Sequence, residues 1–164
     1  MPTFEDKTQK PRADQLDYEA LMLKNQVGFP IYLCAKEIAG KYAELLADMD
    51  LTYTQYVVLL YFWEYGSSNL KTLSDKLLLD PSTLTPILKK LERKGYLKRD
   101  RSAADARNLT VTLTEAGLAL REQVLWLPGE MMECIDLTVE EWQTLFHLAH
   151  KVLKNITLAK EREQ

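Results

Sequence analysis

The residues of this chain best suited to specific chemistry lie between Asp80 and Arg107, and that chemistry is non-covalent recognition of a polyanion. Ser82, Thr83 and Thr85 place short hydroxyl side chains on the first turns of a helix expected from Pro81 onward. Such side chains reach hydrogen-bonding edges at the floor of a groove without holding the helix away from it. Lys89, Lys90 and Arg93 follow on the same helix, and Lys94, Lys98, Arg99, Arg101 and Arg107 continue the basic run. Against Glu92, Asp100 and Asp105, the segment 81–107 carries eight cations and three anions, a net of +5. The whole chain carries −3, so the remainder holds −8. A basic segment on an acidic body is the charge distribution of a nucleic-acid binder, although a basic run alone also describes a solvated helix face.

Other chemistries find little support. Cys34 and Cys134 are too few for a disulfide scaffold and lack metal-ligand spacing. Cys34 reads as a small buried hydrophobe, the commoner state of a free cysteine. His147 and His150 are three apart with no acidic or cysteine partner at close spacing, so interface packing is expected rather than a metal. There is no Gly-rich phosphate loop, no HExxH and no catalytic serine or cysteine motif. Neither an enzyme nor a cofactor is expected. No apolar run approaches the roughly 20 residues that span a bilayer. The polar stretch from Met1 to Asp17 lacks a secretory apolar region, so no membrane partner and a cytoplasmic location are expected.

The elements that must position the basic segment can be read from periodicity. With 164 residues, 46% hydrophobic, the chain is long enough for one compact domain with a core. Residues 1–16, with Pro2 and Pro11, read as a flexible lead-in to a single domain over 17–164. From Asp17 to Met49, Leu21, Val27, Ile31, Cys34, Ile38, Tyr42, Leu45 and Leu46 predict a long helix, kinked or begun afresh at Pro30. Thr52 or Thr54 caps a second helix reaching about Glu64, apolar nearly all round through Tyr56, Val57, Leu59, Leu60, Phe62 and Trp63, and so buried. Residues 66–69 read as a turn, Leu70 as a short strand, and Thr72–Leu77 as a short helix with Leu73, Leu77 and Leu78 inward. Asp80 is an N-cap candidate and Pro81 suits the first helical position. Leu84, Ile87, Leu88 and Leu91 form the inward stripe, and Gly95 ends the helix. Tyr96–Asp100 and Leu109–Leu113 are strands around a polar loop over 102–108. Thr114–Gly117 opens a further helix, Pro128-Gly129 interrupts it, and the Thr138–Glu141 capping box starts a last helix running to near Lys160. The fold class is mainly α (α+β).

That order, with these residues, resembles the MarR family of winged helix-turn-helix regulators, most nearly its organic-hydroperoxide-responsive (OhrR-like) subgroup. The segments carrying the resemblance are Lys24–Val27, Leu51–Tyr56, Asp80–Lys90, Arg101-Ser102 with Asp105–Arg107, and Leu113–Gly117. The resemblance implies a winged helix-turn-helix over 51–114 with a two-stranded wing. It also implies a homodimer joined through helices in 17–49 and 115–164, bound to double-stranded DNA at a palindromic operator. The implied function is a transcriptional regulator, a repressor released by a small ligand or an oxidant. The alternative is a winged-helix protein–protein module that does not bind DNA. In the wing, the resemblance assigns Asp105 and Arg107 to an arginine entering the minor groove beside an orienting acid, where an ordinary hairpin-tip ion pair is the plainer reading.

The subgroup's reactive cysteine position is Gly28 in this chain, so the defining thiol is absent and peroxide sensing by that route is not expected. Tyrosines matching those around that thiol are present at Tyr32, Tyr42 and Tyr56. Gly28 and Cys34 together with Phe29, Tyr32, Tyr42, Tyr53 and Tyr56 are therefore the candidate sensor residues, and an aromatic or apolar small molecule is the candidate ligand. The same tyrosines also fit core or dimer-interface packing.

Overall fold

A computed structural model describes residues 18–101 and 109–162, with the side chains of Arg101 and Glu161 left aside. The described residues divide into two units, one ending at Lys41 and the other beginning at Tyr42.

In the first unit the expected long helix is broken. Two 3-10 turns, Tyr18–Leu21 and Leu23–Asn25, precede helix α1, which runs Gly28–Leu45 across the division. The Asn25 side-chain amide donates to the Glu19 carbonyl (2.7 Å) and that of Gln26 to the Ala20 carbonyl (2.6 Å). These amides satisfy carbonyls that a continuous helix would have used. Pro30 stands in the first turn of α1, where its missing N–H would have had no partner anyway. Asp17 lies outside the described residues.

The second unit holds the core. After a 3-10 turn at Ala47–Met49, helix α2 spans Tyr53–Tyr65. Thr52 closes its N-terminus through a capping box with Gln55, both bonds at 3.3 Å. The helix buries Tyr56, Val58, Leu59, Tyr61 and Phe62, but Leu60 is 44% exposed and does not join them. Strand β1, Ser67–Asn69, occupies the place read as a turn. It pairs antiparallel with β3 (Leu109–Leu113), which pairs in turn with β2 (Leu97–Arg101). The two-stranded wing hairpin is thus joined by β1 in a three-stranded sheet in the order β1-β3-β2, with the short first strand at Ser67–Asn69 rather than at Leu70.

Helix α3, Leu70–Leu77, starts earlier than expected because the Asn69 side chain caps it, accepting the Thr72 N–H at 2.8 Å. Leu78 does not face inward. It sits left-handed at the helix end (φ 52°) and is 55% exposed, because the chain must turn there into the next helix. Helix α4, Pro81–Arg93, has Asp80 at its N-cap position, although that side chain makes no capping bond. Leu84, Leu88 and Leu91 are buried as one stripe, with Ile87 packed beside them, against Leu73, Phe62, Leu97 and Val111 of the same core cluster. Burial of three such leucines is worth about 2 kcal/mol each against exposure, and holds the opposite face of α4 outward. Gly95, left-handed at φ 81°, turns the chain into β2. Helix α5 is Glu115–Gln123, α6 is Leu127–Ile135 and α7 is Val139–Arg162. Pro128 and Gly129 belong to the start of α6, so the break precedes them, and the Thr138/Glu141 capping box opens α7 as the sequence indicates.

Candidate nucleic-acid interface

Helix α4 presents two chemically different faces. Its leucines are spent on the core, while Ser82, Thr83, Lys89, Lys90 and Arg93 are exposed. Thr85 is only half exposed, and its hydroxyl donates to the Pro81 carbonyl at 2.7 Å. This is the back-bond of a helical threonine to the carbonyl four residues earlier, and it does not replace the bond that Pro86 denies to the Ser82 carbonyl. Thr85 therefore offers lone pairs outward and keeps its proton for the backbone. Ser82 and Thr83 show no such local commitment.

The basic residues separate by what holds them. Lys94 is tied to Asp50 in the turn before α2: its Nζ meets the Asp50 carboxylate at 2.6 Å and also the Asp50 carbonyl. That bond holds the Asp50 carboxyl below its ordinary range. Arg99 on β2 grips Glu92 on α4 with its guanidinium (2.5 and 2.7 Å) and its backbone N–H (3.2 Å). The first of these bonds lowers the Glu92 pKa. Lys98 meets Asp100 at 2.9 Å, largely in solvent. Among the described residues Lys89, Lys90 and Arg93 have no carboxylate within ion-pair distance. Lys90, Arg93 and Lys94 rim an open hollow of about 330 Å³ with Asp50 and Thr52. Of the remaining expected contacts, Asp105 and Arg107 lie outside the described residues, and Arg101 is described only as the last backbone position of β2.

Sequence reasoning missed the fastenings. In the sequence Lys94 counts only as part of the basic run, and Asp50 and Glu92 carry no signal as partners of Lys94 and Arg99, because these pairs form only when the helix, strand and turn pack together. A third fastening gathers four elements. The Trp63 indole N–H donates to the Gly117 carbonyl (2.8 Å), Thr114 donates its hydroxyl to the Gly95 carbonyl (2.6 Å), and the Thr114 N–H bonds the Tyr96 carbonyl (3.1 Å). Thr114 also caps α5, accepting from Gly117 N–H at 3.0 Å. A Cβ at Gly117 would fall 2.2 Å from the Tyr96 carbonyl oxygen, so only glycine permits this approach.

The candidate sensor residues are brought together only in part. Tyr42 stacks on Tyr53 (ring centroids 4.7 Å) and meets Tyr56 at 5.6 Å, and Tyr56 meets Trp63 edge-on at 6.0 Å. Burial first, then the neighbouring Tyr42 and Tyr53, pushes the Tyr56 phenol up to about 12, and burial raises that of Tyr42. Both of these phenols stay protonated at neutral pH. Gly28, Phe29, Tyr32 and Cys34 belong to the other unit, where each is exposed along the first turns of α1. A Cβ on Gly28 would meet nothing within 4 Å. Cys34 was expected to be buried but is exposed, because that side of α1 finds no core within its own unit.

A helix-turn-helix backed by a hairpin wing, with hydroxyls and unpaired cations on the outward face of its second helix, defines a winged helix-turn-helix regulator. The chain belongs to the SarA/Rot family of transcriptional regulators, which its residues 41–124 match. It is 38% identical over 133 residues to the transcriptional regulator SarZ of Staphylococcus haemolyticus, covering 81% of this chain and 90% of that one. It is 32% identical over 139 residues to the organic hydroperoxide resistance transcriptional regulator of Bacillus subtilis, covering 85% and 95%. Among solved structures, reduced AbfR bound to DNA superposes with a TM-score of 0.69 at 34% identity, over 85% of this chain and 97% of that one. AbfR is a protein of Staphylococcus epidermidis. The resemblance to organic-hydroperoxide-responsive regulators is borne out.

Proposed function

We propose that this chain regulates transcription as a homodimer that sets α4 of each protomer into successive major grooves of a palindromic operator. The observation that carries the reading is the division of α4: Leu84, Leu88 and Leu91 in the core, Ser82, Thr83, Lys89, Lys90 and Arg93 outside and uncommitted. On this reading Ser82, Thr83 and the Thr85 lone pairs meet base edges or phosphates, and the cations neutralise phosphates. Arg101, Asp105 and Arg107 serve the wing, with Arg107 in the minor groove. The description of AbfR as bound to DNA supports the same partner.

Dimerisation is supported by uncovered apolar surface. Leu145, Leu148, Val152 and Ile156 recur at helical spacing along α7 and are 45–51% exposed, and Leu21 and Val27 in the first unit are each 75% exposed. A monomer rarely leaves so much apolar surface to water. An effector acts by favouring one spacing of the two α4 helices over the other. The packed Tyr42–Tyr53–Tyr56 group is the candidate place, where an aromatic ligand extends or parts the stack.

The test is selection of duplexes from a random pool by the purified chain, with oligomeric state measured alongside, repeated with phenolic compounds and with organic hydroperoxide. A dimer that selects a two-fold sequence, and is released by phenols but not by hydroperoxide, is the expected result. A monomer, or no preference among duplexes at moderate salt, overturns the reading. Release by hydroperoxide alone replaces the aromatic effector with an oxidant acting on an exposed thiol.

A further inference from the structure

We infer that Trp63 is a positioning residue for DNA binding: its indole N–H on the Gly117 carbonyl fixes the root of the wing and the exit of α4 against α2. The inference rests on the proposed DNA contact by α4 and the wing. Trp63 packs against the core cluster, as a phenyl ring could, but its N–H also finds a specific acceptor. Its bond to Gly117 spans 54 residues and is 2.8 Å long. Gly117 lies in the first turn of α5, immediately behind the point where β3 returns.

Three further bonds converge there. Thr114 reaches the carbonyls of both Gly95 and Tyr96, joining the end of β3 to the exit of α4, and caps α5 through Gly117 N–H. The space a side chain at 117 would need is filled by the Tyr96 carbonyl. A shift of α5 therefore moves Tyr96 and Gly95 with it, because backbone meets backbone with no soft side chain between. Trp63 is the contact from α2 that sets where this joint stands. An indole at 63 donates outward to a carbonyl of another element; a phenyl ring of similar shape cannot. The indole also meets Tyr56 (ring centroids 6.0 Å), which meets Tyr42, so the joint touches the tyrosine group directly through Tyr56.

The expected effect follows from the bond removed. A net intramolecular hydrogen bond is worth about a fivefold change in an equilibrium. Trp63→Phe should let the wing root sample other positions and lower affinity for a selected duplex about fivefold. Val58→Ala, in the same helix and fully buried, serves as the control for simple loss of stability. The experiment measures affinity for a duplex selected by the wild-type chain, together with amide hydrogen exchange of the free protein. For Trp63→Phe the amides of β2, β3 and Tyr96 should exchange about fivefold faster while those of α3 keep their protection. For Val58→Ala protection should fall throughout and affinity should stay unchanged at temperatures where the protein is folded. Unchanged wing exchange in Trp63→Phe, or a pattern matching that of Val58→Ala, overturns the inference. Faster wing exchange with unchanged affinity also overturns it, since the joint would then not bear on DNA. If the wild-type chain selects no duplex, the DNA reading fails, and this inference with it, while the exchange pattern still reports whether the joint exists.

Discussion

The separation of free from committed cations on and beside α4 makes a quantitative expectation for Arg93 and Lys94. The two are adjacent in sequence and identical in formal charge, yet Arg93 has no carboxylate partner among the described residues and Lys94 is fastened to Asp50. Each phosphate neutralised by a cation contributes about 0.9 to the slope of log affinity against log salt. In a dimer, Arg93→Ala removes two such contacts, so the slope should shallow by about 2. At an ionic strength of about 0.15 M each lost contact corresponds to about fivefold in affinity, so the variant should bind a selected duplex about 30-fold more weakly. Near 1 M salt the difference should vanish, which distinguishes lost counterion release from damage to the fold. Lys94→Ala should leave the slope unchanged within error. Its salt bridge is too exposed on the Asp50 side, 94%, to contribute much to stability. Binding isotherms by fluorescence anisotropy at four or more salt concentrations decide the matter. Equal slope changes for the two variants, or none for Arg93→Ala, would refute the claim that tertiary pairing selects which cations meet phosphate.

Other expectations concern the frame. Gly117→Ala should destabilise by about 3 kcal/mol, read as a fall in the urea midpoint, since its Cβ must displace the Tyr96 backbone. Leu78→Gly should raise stability by about 0.5 kcal/mol in the same assay, because a left-handed leucine costs more than the added chain entropy of glycine and the side chain is mostly in water. Tyr56 titrates high at about 12, against an ordinary 10.0, because its neutral form is favoured in the folded chain. The folded state therefore binds its proton more tightly, and stability should fall as pH rises from 10.0 toward 12, seen as tyrosinate absorbance appearing together with unfolding. For Tyr56→Phe that alkaline loss should shrink. Glu92 has the opposite sense: its pKa is lowered by Arg99, so the contribution of that pair is present above the ordinary glutamate value and is lost as pH falls through the lowered one. Glu92→Gln should flatten the acid limb of the stability profile.

How far these features could be read from sequence varies with the range of the interactions that make them. Helix α4 was legible because its signals are local: Pro81 at the start, leucines three and four apart, Gly95 just past the end. Strand β3 was legible because Leu109, Val111 and Leu113 alternate. Strand β1 was not, since Ser67-Ser68-Asn69 has the composition of a turn and becomes a strand only by pairing with β3, with Ser68 accepting from the buried Tyr61 hydroxyl at 3.0 Å. Leu78 was misplaced because the apolar pattern of α3 runs one residue past the point where the backbone leaves the helix.

The site shows the same limit in electrostatic form. The +5 of segment 81–107 is a sum over formal charges, and a sum does not distinguish a solvated cation from one spent on a carboxylate. Lys94 finds its anion 44 residues away, and Arg99 reaches from a strand back to a helix. Those pairings depend on the core placing α4, β2 and the turn before α2 side by side. The same leucines that turn Lys89, Lys90 and Arg93 outward bring Lys94 within reach of Asp50. The core thus selects which charges remain for DNA, and a variant that repacks Leu88 or Leu91 should alter salt dependence without touching a single cation.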